Sequence, residues 1–166
     1  MKIANILLGL TIATLAFAFT GCVSSDPKTE QQLAGTWQTT LNDSEDGIEM
    51  VAISTDTYSL EEHKFECVIK FSIGYPIFGD LATMTYSGKW KASKETIVVD
   101  VDKNSIEFSF NNGYTDKRER EEFKNEILSE FKKSGYSEEY PILSPITDTF
   151  ETEDEDGERL VYTRLY

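Results

Sequence analysis

The chain has 166 residues and 2 cysteines, with 16 Lys+Arg against 30 Asp+Glu and a formal net charge of −14. That length predicts one domain with room for a tail, and the acidic balance excludes both the basic face a nucleic-acid binder needs and a basic patch adsorbing on anionic lipid. With 39% hydrophobic and 12% aromatic residues the chain can build a packed core, so it is not disordered as a whole.

Lys2 gives a short positive start, and Ile3 to Phe19 is an apolar run broken only by Asn5, Thr11, Thr14 and small residues. A basic start, an apolar core and small residues before a cut form a secretory signal. The run is at the short end for a membrane span, which needs about 20 apolar residues. Phe19-Thr20-Gly21-Cys22 resembles the lipobox of bacterial lipoproteins, with Phe19 where Leu is usual. The resemblance implies cleavage before Cys22 and a diacylglycerol on its thiol, with acyl chains of the palmitate kind. Val23 follows the cysteine, where Asp would resemble an inner-membrane retention signal. The expected address is therefore the cell envelope, lipid-anchored at the outer membrane, facing the periplasm or the outside.

The chain then divides into a signal peptide at 1–21, a polar tether at 22–32 containing Pro27, and a globular domain at 33–166. Removing 1–21 takes away a single charge, Lys2. If Cys22 carries lipid, Cys67 has no disulfide partner within the chain. Cys67 belongs to the alternating row Phe65, Cys67, Ile69, Phe71, Ile73 and reads as a small buried hydrophobe in a strand.

From residue 33 the dominant period is 2, the mark of half-buried strands. Strands are expected at about 34–41, 48–60, 64–73, 81–91, 96–102, 105–111, 142–151 and 158–165. Asp46-Gly47, Asp102-Lys103-Asn104 and Asp156-Gly157 supply turn chemistry between neighbours. Such short connections leave no room for crossover helices, so neighbours should pair antiparallel. Eight such strands either close into a barrel or expose two edges.

One segment, about 116–134, breaks the period. Asp116 can cap a helix, with Glu119 three residues on. Phe123, Ile127 and Phe131 repeat every four residues. Lys132 and Lys133 suit the negative end of the dipole. Gly135 fits the left-handed position that ends a helix, with Tyr136 able to touch Phe131. This helix either packs structurally, outside the barrel wall or across one end, or serves as a lid over the mouth. The expected fold is all-β: an eight-stranded antiparallel up-and-down barrel with one α-helix inserted before the last two strands.

Leu33-Ala34-Gly35-Thr36-Trp37 opens the domain with a G-x-W, Tyr86-Ser87-Gly88-Lys89-Trp90 repeats it, and Arg164 stands in the last strand. In these features and in strand count, 33–166 resembles the small lipocalin-like domains of bacterial lipoproteins, in the calycin superfamily. The resemblance implies that Trp37 plugs one end of the barrel and that Arg164 packs across it. Physically, glycine lets the backbone pass close under a large ring, tryptophan fills a tapering barrel end, and a stacked arginine adds about 0.5–2 kcal/mol. Gly35, Trp37, Gly88, Trp90 and Arg164 are thus read as structural motif residues. Two departures point to a looser relative: Thr55-Asp56-Thr57-Tyr58 does not match the Thr-Asp-Tyr motif, and the helix precedes the last strands rather than following the eighth.

Catalytic patterns are missing from the sequence. There is one histidine, His63, and no H-E-x-x-H, G-x-S-x-G, P-loop or G-x-G-x-x-G. Cys67 and His63, four apart, would have to meet on one face to form a nucleophile pair. The acidic run Glu151 to Glu158 fails the EF-hand spacing, since Thr163 stands where the last carboxylate belongs, and reads as a solvated hairpin tip. The expectation is a non-enzyme with no cofactor and no metal, whose partners are the membrane, through Cys22, and a small apolar or amphipathic ligand. An eight-stranded barrel can hold one small ligand or just fill itself. The second reading is therefore a filled barrel acting as a structural or protein-interaction lipoprotein, its protein partner unknown.

Overall fold

A computed structural model describes residues 24–45, 48–73, 80–111, 116–154 and 157–166. The segment expected to be a signal peptide, Cys22, the expected Asp46-Gly47 turn and Asp156 of the expected Asp156-Gly157 turn lie outside them. In chain order the elements are α1 (Pro27–Leu33), β1 (Gly35–Glu45), β2 (Ile48–Ser59), a 3₁₀ turn (Glu61–His63), β3 (Lys64–Ile73), β4 (Asp80–Ala92), β5 (Thr96–Val101), β6 (Glu107–Phe110), α2 (Lys117–Lys133), β7 (Ser137–Pro141), β8 (Thr149–Glu153) and β9 (Arg159–Arg164). The hydrogen-bonded path runs β7-β5-β4-β3-β2-β1-β9-β8, with β6 paired to β4 off the path. Every pairing is antiparallel. The eight strands of the path form a nearly closed barrel. At the seam, the Leu143 N–H donates to the Glu151 carbonyl at 2.8 Å and the Glu151 N–H to Ser144 Oγ at 2.9 Å.

The alternating rows point inward together because side chains alternate across a strand. Their register stacks the interior in levels. At the lower end Gly35, Tyr58, Phe65, Gly88 and Val101 lie side by side. Above them come Trp37, Asp56, Cys67 and Tyr86, and then Thr39, Ser54, Ile69, Met84 and Phe108. The upper level is Leu41, Ala52, Phe71, Ala82 and Phe110.

Of the strand expected at 142–151 only the last three residues are strand, as the start of β8, while 142–148 is not and β7, at 137–141, is a strand that was not expected. Pro141 and Pro145 lack the N–H a continuous ladder needs. As a result the helix precedes three strands rather than two. Residues 27–32, expected to be part of a tether, are helical together with Leu33 and folded onto the barrel. Asp26 caps it, accepting from Thr29 N–H at 3.0 Å, with Pro27 at the first position. Leu33 is fully buried, and the Asp26 N–H donates to the Ala92 carbonyl at 2.7 Å.

Helix α2 begins and ends as its sequence dictates. Asp116 accepts from the Arg118 and Glu119 N–H groups at 2.8 and 3.3 Å. At the other end the Tyr136 N–H donates to the Phe131 carbonyl and the Gly135 N–H to the Lys132 carbonyl, with Gly135 at φ 67°, the Schellman pattern. The stripe faces inward: Phe123 meets Phe71, Phe108 and Phe110 edge-on, and Phe131 meets Tyr86. Phe71 and Tyr86 belong to inward rows of β3 and β4, so α2 covers the interior and does not brace the outer wall. It fits there because β4 is shared. Gly88–Ala92 pair with β5 and Ala82–Thr85 with the short β6, so β5 and β7 flank only the lower half.

Candidate functional site

The lower end is closed by the G-x-W residues. Trp37 is fully buried, and its Nε1 donates to the Leu33 carbonyl at 2.6 Å. The Arg164 guanidinium lies over the Trp37 ring, 4.1 Å from its centroid, and donates to the Ala34 and Gln32 carbonyls. Gly35 has φ 129°, and a Cβ there would stand 2.8 Å from Arg164 Nη1, so both backbone and space call for glycine. At Gly88 a Cβ would stand 2.1 Å from the Asp100 carbonyl oxygen. Trp90 donates to the Ser59 carbonyl at 2.9 Å and packs edge-on against Tyr58. Glu30 of α1 completes this end, accepting from the Ala92 N–H and contacting His63 Nε2, both at 3.2 Å.

His63 and Cys67 do not form a pair. The His63 side chain is 48% exposed and engaged with Glu30, whereas Cys67 is buried beside Ser54 Oγ at 3.4 Å. Burial first, then Asp56, pushes the Cys67 thiol well above its usual range, the reverse of an activated nucleophile. In the acidic run, the carboxylate of Asp154 accepts from the Glu158 N–H at 2.8 Å and Glu151 pairs with Arg159 at 3.1 Å, so these groups brace the β8–β9 hairpin. Among the described residues no cluster of three or more His, Cys, Asp or Glu side chains could hold a metal ion. No described helix is long and apolar enough to cross a membrane.

The site sequence reasoning missed is a polar belt inside the barrel, just above the tryptophan end. β2 supplies Ser54, Asp56 and Tyr58, β3 Cys67, β4 Tyr86, β7 Glu138 and Tyr140, β8 Thr152, and β9 Tyr162, all buried. Ser54 Oγ donates to Asp56 Oδ1 at 2.7 Å, and Cys67 and Tyr162 also hydrogen-bond to Asp56. The Tyr140 hydroxyl donates to Glu138 Oε2. Glu138 Oε1 and Thr152 Oγ1 have no hydrogen-bond partner among the described residues.

No lysine, arginine or histidine is buried among the described residues, so nothing basic compensates these two acids. Burial pushes Asp56 above the ordinary carboxylate range, against its three hydrogen bonds. Glu138 is raised to about 8, by burial against the Tyr140 bond and with Asp56 nearby adding to the rise. Burial also raises the phenols of Tyr58, Tyr86, Tyr140 and Tyr162. At neutral pH the Glu138 end of the belt is a neutral acid beside phenol hydroxyls, able both to donate and to accept hydrogen bonds. Above it lie the apolar level of Leu41, Ala52, Phe71 and Ala82 and the inner stripe of α2.

No protein-family model matches this chain, and no curated protein matches it. The fold and the belt therefore define a class by geometry: a small antiparallel barrel, plugged at one end, helix-covered above, with buried acids between.

Proposed function

We propose that this is a non-catalytic, lipocalin-like envelope lipoprotein, anchored through Cys22 at the outer membrane, whose barrel receives one small amphipathic ligand. One observation supports it most: a fully buried carboxyl, Glu138, keeps an unpaired oxygen within the polar belt inside the barrel. A barrel evolved only to fill itself would do better with hydrocarbon there, because an unsatisfied buried polar atom costs about 1–3 kcal/mol. The ligand's polar end would meet Glu138 and the tyrosines. Its apolar part would lie against Met84, Ile69 and Phe71 under α2.

Native mass spectrometry of the protein extracted from its source tests this. The expected result is a co-purifying small molecule that is retained by the wild type and absent from Glu138→Leu. A wild-type mass equal to the lipidated chain alone would favour the second reading, a filled barrel serving protein interaction. That reading has its own support in the contiguous interior packing of Trp37 on Phe150, Phe150 on Tyr162 and Tyr58 on Phe65.

A further inference from the structure

The way α1 is fastened bears on how the domain stands at a membrane, given the reading that Cys22 carries the lipid. Asp26 is held to the barrel by its bond to Ala92 and by capping α1. Only four residue steps separate it from Cys22, and an extended chain covers at most about 14 Å over that distance. The expected tether of 22–32 is thus reduced to a short link, leaving from the closed end of the barrel. A strand such as β2 rises roughly 3.3 Å per residue, so its 12 residues place the α2 end well beyond that reach.

A second, independent observation lies at the same end. Among the described residues, four large hydrophobic side chains are exposed: Leu60, Leu143, Val161 and Tyr166. Three of them sit on the closed rim. Leu60 is in the β2–β3 turn, Leu143 follows β7, and Tyr166 follows β9, beside the α1 end. The register confirms the common end, since Gly35 pairs with Tyr58, Thr96 with Pro141 and Trp37 with Arg164. Lys28 and Lys94 both lie close enough to Asp26 to lower its carboxyl, after the larger effect of Thr29. A shallow cleft of about 280 Å³ at Ser24–Asp26 and Ser93–Glu95 marks where the chain leaves toward Cys22.

We propose that the closed end of the barrel rests on the bilayer surface, with Leu60, Leu143 and Tyr166 in the interfacial layer and the α2-covered end facing away. Exposed leucines and a tyrosine suit that layer, where one part of a side chain is apolar and another wet. The occupant is a lipid surface because the link is too short for a protein to intervene. With a chain charge of −14, lipid insertion rather than electrostatic attraction seats the domain, so contact should survive high salt.

The test uses the full lipidated chain in phosphatidylethanolamine–phosphatidylglycerol vesicles containing nitroxide-labelled lipid. Bimane is attached to Leu60→Cys or, at the other end, to Glu158→Cys; the native Cys67 is buried. The expected result is severalfold stronger quenching at 60 than at 158, in low and high salt alike. It should weaken when Leu143→Ser and Tyr166→Ser are added. Equal quenching, or stronger quenching at 158, in protein that floats with the vesicles overturns the orientation alone. Unchanged quenching in the double variant overturns the rim contact. A chain with no diacylglycerol on Cys22 by mass, and no flotation, overturns the lipoprotein reading and this inference together.

Discussion

The closed end of the barrel and the belt above it handle buried polar groups in opposite ways. At the closed end each large polar side chain ties two elements together through the backbone. Trp37 bonds Leu33, Trp90 bonds Ser59, Arg164 bonds Ala34 and Gln32, and Glu30 accepts from Ala92. In the belt, side chains bond mainly one another, as Ser54 does Asp56 and Tyr140 does Glu138, and two oxygens are left over. Backbone partners are fixed by the fold and satisfy one geometry. Side-chain partners can turn, and an unpaired one is available to a newcomer. The first region is built for rigidity; the second retains capacity for a hydrogen bond that the chain itself does not make.

The largest expected effect comes from breaking the closed end. Trp37→Ala removes a fully buried ring stacked by Arg164 and edge-on to Phe150, and should cost about 3–5 kcal/mol in urea unfolding. A loss below about 1 kcal/mol, the scale of a surface change, would show that this end does not hold the barrel together.

The belt should reveal itself through pH. Glu138 titrates near 8 in the folded chain against 4.5 unfolded, so between those values the unfolded chain binds fewer protons. Stability is then full below about pH 4.5, declines as pH rises toward 8, and levels off beyond, at roughly 1 kcal/mol per pH unit within the window. Asp56 acts in the same direction. Glu138→Gln keeps the neutral shape and should flatten that decline, leaving the variant more stable than wild type at pH 8.5. Parallel wild-type and variant curves would mean that Glu138 reaches water. The groups around it that share the belt are Tyr140 on β7, Asp56 and Tyr58 on β2, Cys67 on β3, Tyr86 on β4 and Tyr162 on β9.

Arg164→Leu is the milder way to test the closed end. It removes the stacking on Trp37 and the bonds to Ala34 and Gln32 while keeping an apolar cover. About 2 kcal/mol should be lost, with the slope of the pH curve unchanged, because Arg164 lies outside the belt. A changed slope would mean that the two regions are electrically one.

Much of this was legible along the chain, for identifiable reasons. Strands β3 and β4 carry clear alternation in Phe65-Cys67-Ile69-Phe71 and Ala82-Met84-Tyr86-Gly88-Trp90, and the levels of the interior follow from such rows once register is known. The caps of α2 are local chemistry, so Asp116, Gly135 and Tyr136 declared both ends. Helix α1 was legible but passed over: Asp26-Pro27 is a cap followed by a proline at the first position, and the polar composition around it hid the signal. The belt was not legible. Asp56 and Glu138 are charged residues on inward parity, and burial of an acid shows only when strands from distant parts of the chain converge. Glu138 was doubly obscured, because Glu138-Glu139 before Pro141 looks like a solvated turn. The side of the barrel that α2 covers was equally hidden, since Phe123 and Phe131 show a docking face but not its partner.

The smallest effect sharpens the comparison by isolating α2 from both regions. Asp116 accepts from two N–H groups of the first turn, and Asp116→Ala should lower global stability by about 1 kcal/mol. Its influence should be uneven. Helix α2 meets the interior through the Phe123, Ile127 and Phe131 stripe, whereas the Trp37 plug is fastened by bonds among β1, β9 and α1. Amide exchange in α2 and along β6 should therefore quicken first, while the Trp37 indole N–H, held by Leu33, stays protected. An apolar dye should also enter the variant faster than the wild type in stopped-flow mixing, because the covering element opens more often. If exchange quickens uniformly, the indole included, and dye entry is unchanged, then α2 and the closed end unfold as one unit, and the helix cannot serve as a door to the belt.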